Sequence, residues 1–86
     1  MREKIIKIIE ELTDSTDING NVDLIEEDIL DSFAFIELIA KLEDEFNIEI
    51  QPTQIPGDTW RSVDKIVKMV ETKMEKNRNG LLKKKK

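Results

Sequence analysis

Ser32 is the residue of this chain best suited to carry chemistry, and the composition around it limits what that chemistry can be. It follows Asp31 and opens a run of fifteen residues, Ser32 to Phe46, that alternates apolar and acidic side chains. The chain has no histidine and no cysteine. The usual general base, a thiolate nucleophile, disulfides and thiolate zinc sites are therefore all missing. A serine without a base to activate it is a poor nucleophile, which argues against an independent hydrolase. The same serine suits an attachment point that a partner enzyme modifies. A helix N-terminus favours an attached phosphodiester through its free N–H groups and its dipole.

The helix that must hold this serine can be tested at about 100° per residue. With Phe35 at zero, Leu38, Ile39, Leu42 and Phe46 fall within about 60°, a core-facing stripe. Glu37 and Asp44 lie opposite. Phe33 falls at roughly 160°, and Ile36 and Ala40 lean the same way. Apolar residues thus stand beside the serine on the face that should meet water, as in a docking helix. Phe33, Ile36 and Ala40 are the expected apolar grip for a partner, and Glu37 and Asp44 the charge it reads.

Before this helix, Arg2 to Leu12 reads as helical, with Ile5, Ile8, Ile9 and Leu12 at i, i+3, i+4 and i+7. Thr13 to Asp31 is a long connection rich in turn formers, with Ile18, Val22, Leu24, Ile25, Ile29 and Leu30 as apolar pegs. After it, Asn47 is the expected stop. Ile48-Glu49-Ile50 alternates, but Pro52 follows at once, so an extended segment that buries isoleucine is expected. Pro52 to Asp58 is expected to hold a short helical turn limited by Pro56-Gly57. Ser62 then caps a helix in which Val63, Ile66, Val67, Val70 and Met74 keep helical spacing to about Glu75. Trp60, just before it, reads as a packing anchor.

Eighty-six residues make one small domain, for which helical packing is the economical solution. The expected architecture is all-α: a four-helix bundle with a short third helix and a long first loop, the domain covering residues 1–76. The formal charge of −5 hides an asymmetry. Residues 1–75 hold all 19 acidic side chains, whereas 76–86 hold six basic and no acidic ones and read as a disordered basic tail. The acidic body would repel nucleic acid and attract basic partner surfaces. No apolar run reaches the length of a membrane span and no signal peptide is visible, so a cytoplasmic monomer is expected.

Residues 29–50, Ile-Leu-Asp-Ser-Phe through Ile-Glu-Ile, resemble the modification site and second helix of the acyl and peptidyl carrier protein family. The resemblance extends over residues 2–75. In that family the serine of an Asp-Ser-Leu or Asp-Ser-Met motif carries 4′-phosphopantetheine; here Phe33 keeps the third position apolar. The resemblance implies an acyl-carrier-type bundle and a non-catalytic carrier. It implies that Ser32, preceded by Asp31, bears an arm taken from coenzyme A. Within the family the likeness is to the D-alanyl carriers of teichoic acid D-alanylation. It rests on Asp23-Leu24-Ile25, Ile29-Leu30-Asp31-Ser32 and Asp58-Thr59-Trp60-Arg61-Ser62. Fatty-acid carriers usually lack this tryptophan and usually have Gly-Ala where this chain has Ile29-Leu30. Asp28 stands where the D-alanyl relatives commonly have glycine, which bears on the local turn. The implied partners are a phosphopantetheinyl transferase, an ATP-dependent D-alanine ligase and a downstream acyltransferase, membrane-bound in the D-alanyl role. The group carried is held as a thioester on the arm.

Other readings stay open on the sequence. The chain could be a carrier of fatty-acid, polyketide or nonribosomal peptide synthesis. An acidic adaptor would use the same helix without modification. Residues 15–26 approach an EF-hand, with Asp17, Asn19, Gly20, Asp23 and Glu26 at the third, fifth, sixth, ninth and twelfth positions, but Ser15 stands where the first carboxylate belongs. No other metal site is expected: Glu10-Glu11 and Glu26-Glu27-Asp28 read as solvated faces.

Overall fold

The computed structural model describes residues 1–16, 18 and 22–83, with side chains described as far as Lys76. Three α-helices pack pairwise against one another: α1 (Arg2–Thr13), α2 (Ser32–Phe46) and α3 (Val63–Lys83). Ile5 and Ile9 of α1, Leu38 and Leu42 of α2, and Val63, Ile66 and Val70 of α3 are fully buried between them. Both early helices end as their sequences require. Asp14 and Asn47 adopt the left-handed conformation and return their N–H groups to Glu10 and Glu43. Asp and Asn are the side chains that tolerate that region best after glycine.

The expected four-helix bundle is not what the chain forms. Where a short third helix was expected, residues 52–61 make two 3-10 turns, Pro52–Gln54 and Gly57–Arg61, leaving three α-helices among the described residues. The prolines explain this. Each lacks an N–H to donate and pushes the residue before it into extended backbone. Gln51 and Ile55, which precede them, are extended at φ −107°, so neither turn can grow into its neighbour. At the other end α3 runs on to Lys83, past the helix end expected near Glu75, although among its described side chains, as far as Lys76, the last buried one is Val70.

The long connection is tied down at intervals. Ile18, Leu24 and Leu30 are buried pegs, and the Ile18 N–H reaches the Glu10 carboxylate at 3.2 Å. The Leu24 N–H donates to the Arg61 carbonyl at 2.8 Å, which sews the loop to the second 3-10 turn. Ile29 and Leu30 both donate back to the Leu24 carbonyl. Asp28 sits within that turn at φ 61°, which accounts for a position favourable to glycine: the backbone is left-handed, and aspartate adopts it at modest cost. Ile48 and Ile50 are buried as expected, and the Glu43 carboxylate accepts the Ile50 N–H at 2.8 Å.

Candidate functional site

The chain reaches Ser32 through the cap of α2. Asp31 is the N-cap: its Oδ1 accepts the Ala34 N–H at 2.8 Å, and its carbonyl accepts the Phe35 N–H. Ser32 is consequently the first helical residue and is spared the capping role that an isolated Asp-Ser invites. It is exposed, and its hydroxyl makes no hydrogen bond among the described residues. The N–H groups of Ser32 and Phe33 have no acceptor within the helix. A free hydroxyl beside unsatisfied donors at the positive end of a fifteen-residue helix fits a phosphodiester linkage.

Beside the serine lies an open apolar hollow of about 300 Å³. Leu30, Phe35 and Trp60 line it, and Ile25, Gly57 and Asp31 complete its rim. Trp60 is buried and meets Phe35 edge to face, ring centroids 5.1 Å apart at 84°. The expected packing anchor is therefore also a wall of the site. Sequence reasoning assigned Phe35 to the core alone. Its position one turn on from Ser32, on the same side of the helix, was the available signal.

The residues expected to meet partners are all exposed. Phe33 is 72% and Ile36 65% exposed, large values for apolar side chains, and Glu37, Ala40 and Asp44 are open to solvent with them. The inward stripe is centred on Leu38 and Leu42. Ala34 is buried beside them, whereas Phe35, Ile39 and Phe46 are only partly covered.

The residues expected to form a calcium loop fall differently. Asp17, Asn19 and Gly20 lie outside the described residues. Asp23 and Glu26 are turned toward Arg61, whose guanidinium stands 2.9 Å and 3.7 Å from their carboxylates. Asp23 Oδ1 also accepts the N–H groups of Ile25 and Glu26. The Glu26 N–H, joined by Arg61 and the Ile25 N–H, outweighs the opposing desolvation and holds the Asp23 carboxyl below its ordinary value. A depressed carboxyl pKa stabilises the fold above the unfolded-state value, and that contribution disappears as pH falls through the folded-state value. Asp23→Asn should thus lower the thermal midpoint at neutral pH and flatten its decline in acid. Parallel acid declines for the two proteins would contradict this.

Residues 3–70 match the family of phosphopantetheine attachment sites, so the chain belongs to it. With the exposed serine at the head of α2, this makes the molecule a phosphopantetheine-binding carrier domain rather than an enzyme. Among its relatives is the D-alanyl carrier protein of Lactococcus lactis subsp. cremoris strain MG1363, 38% identical over 79 residues, which are 90% of this chain and all of that protein. The D-alanyl carrier protein of Listeria welshimeri is 29% identical over 72 residues, covering 81% of this chain and 92% of that one. Among the described residues, no helix is long and apolar enough to cross a membrane.

Proposed function

We propose that this chain is a D-alanyl carrier whose 4′-phosphopantetheine arm is attached through Ser32. The observation that carries the attachment point is the division of labour at the head of α2, where Asp31 takes the cap and leaves the Ser32 hydroxyl exposed and unengaged. The arm's terminal thiol supplies the chemistry, holding an acyl group as a thioester. Everything else is done by the chain. Ser32 provides the oxygen: its bond to phosphorus forms as the diphosphate of coenzyme A breaks. The nucleotide portion leaves as 3′,5′-adenosine diphosphate, and the hydroxyl proton passes to a base in the complex with the transferase. The first-turn N–H groups and the helix dipole favour the phosphodiester charge. The apolar hollow walled by Leu30, Phe35 and Trp60 lies directly beside the attachment point.

The D-alanyl assignment is supported by relatives of that name covered over their whole length or nearly so. In this reading the chain serves teichoic acid D-alanylation and works in the cytoplasm, where coenzyme A and ATP are available. A phosphopantetheinyl transferase and an adenylating D-alanine ligase act on it in turn before a downstream acyltransferase takes the cargo. The arm-bearing protein should form a thioester with D-alanine in the presence of ATP and a D-alanine ligase, and none with fatty acids and a fatty acyl ligase. The reverse preference would assign it to lipid synthesis instead.

Phe33, Ile36, Glu37, Ala40 and Asp44 form the partner face in this reading. Phe33→Ala with Ile36→Ala should leave stability within about 0.5 kcal/mol, because both side chains are exposed. The same pair should raise the ligase KM for the carrier about tenfold or more, by removing two apolar anchors at the centre of the contact. Unchanged ligase kinetics would remove these residues from the interface. Modest affinity is to be expected even for the wild type, since each partner must release the carrier. Acidic side chains around the anchors speed encounter more than they prolong residence.

A further inference from the structure

α3 sorts its exposed surface by charge. Lys65, Lys68, Lys73 and Lys76 fall on one side of the helix, and its acids Asp64, Glu71 and Glu75 fall on another, about a quarter turn or more from the centre of the lysine stripe. The lysines surround a hollow of about 340 Å³ whose floor is Ile55, Pro56 and Met69. Lys65 is engaged with Asp58 at 3.3 Å, but Lys68, Lys73 and Lys76 form no ion pair among the described residues. Lys73 is half-buried, as expected for an amine whose stem covers apolar surface. The second 3-10 turn separates this hollow from the one beside Ser32: Thr59 lines the former, Gly57 and Trp60 the latter.

This face stands out on a chain whose first 75 residues carry 19 acidic and 8 basic side chains. An acidic protein would neutralise the lysines but would leave the apolar floor unexplained. A nucleic acid would pair phosphate with the lysines, but Ile55, Pro56 and Met69 offer no aromatic face on which a base could stack. A lipid surface answers both features, with headgroup phosphate for the amines and the glycerol and upper acyl region for the floor. Beyond Lys76 the sequence continues the same pairing in Leu81-Leu82 and Lys83 to Lys86.

We propose that the lysine-rimmed hollow of α3 docks this chain on an anionic lipid bilayer. This is independent of the arm, so Ser32→Ala should dock as well as wild type. The test is co-sedimentation of the full chain with vesicles of phosphatidylglycerol and phosphatidylcholine, against phosphatidylcholine alone. Binding is expected only to the anionic vesicles, and release by 1 M salt, where the screening length falls to about 3 Å. Lys68→Glu/Lys73→Glu/Lys76→Glu should weaken it at least ~10-fold, since each lysine near an anionic surface contributes appreciably. The matching glutamine triple should fall between, and circular dichroism should show both triples folded. A chain ending at Lys76 should retain anionic binding. Unchanged binding by the charge-reversed triple would overturn the proposal, as would complete loss on removing residues 77–86 alone. So would absence of vesicle binding together with self-association that the triple abolishes, which would make the occupant the acidic face of a second copy.

Discussion

Ser32→Ala should abolish acceptance of the phosphopantetheine arm while leaving the fold untouched. Incubated with coenzyme A and a broad-specificity transferase, the wild type should gain the mass of one arm and the variant none. The structural side of the expectation is as strict as the chemical one. The Ser32 side chain is exposed and bonds to nothing among the described residues, and alanine is a good helix former. Stability should therefore stay within about 0.5 kcal/mol of wild type. Asp31→Ala would be a poor substitute experiment. It removes the oxygen that holds the Ala34 N–H and should cost about 1 kcal/mol through the cap alone, confusing loss of site with loss of helix. An equal mass gain in Ser32→Ala would move the attachment point elsewhere. A variant that accepts no arm yet supports full D-alanine transfer in cells would favour the acidic adaptor instead.

The parts of this site that could be read from sequence are those governed by short-range rules. The 100° geometry of one helix placed Phe33, Ile36, Glu37, Ala40 and Asp44 outward, and they are exposed. Asn47 stopped α2 as expected, and the alternation of Ile48 and Ile50 correctly implied burial. What could not be read depends on contacts across the chain. Nothing in residues 23–26 announces Arg61 as their partner, because the ion pair exists only after the loop has closed onto the second 3-10 turn. The short third helix is prevented by a local feature of the sequence. Two prolines four residues apart leave room for single turns and no more. Ala34 is not legible because its small side chain adds little to an apolar pattern, although it is buried where α2 packs.

Trp60→Ala should be the most destabilising single substitution near the site. The ring is only 4% exposed, packs edge to face on Phe35 and walls the hollow beside Ser32. Truncating a buried tryptophan to alanine typically costs about 3–5 kcal/mol, combining lost burial with the cavity left behind. The aromatic pair adds to the cost of removal, worth roughly 0.5–1.5 kcal/mol beyond its area. A domain of this length is stable by only about 4–13 kcal/mol, so the variant forfeits a large share of its folding free energy. Urea unfolding followed by far-ultraviolet circular dichroism should show a much lower midpoint with an unchanged slope, since the surface exposed on unfolding is nearly the same. Trp60→Phe should recover part of the loss by keeping an aromatic edge against Phe35. A Trp60→Ala midpoint equivalent to less than about 1 kcal/mol of destabilisation would mean that the ring is not the anchor its burial indicates. The consequence for function follows from position. The turn that carries Trp60 also supplies the Arg61 carbonyl that holds Leu24, and Leu24 in turn holds Ile29 and Leu30, the two residues before Asp31. Loosening the tryptophan should therefore disorder the approach to Ser32 before α2 itself melts. Arm attachment to Trp60→Ala should slow at temperatures where its helices are still formed.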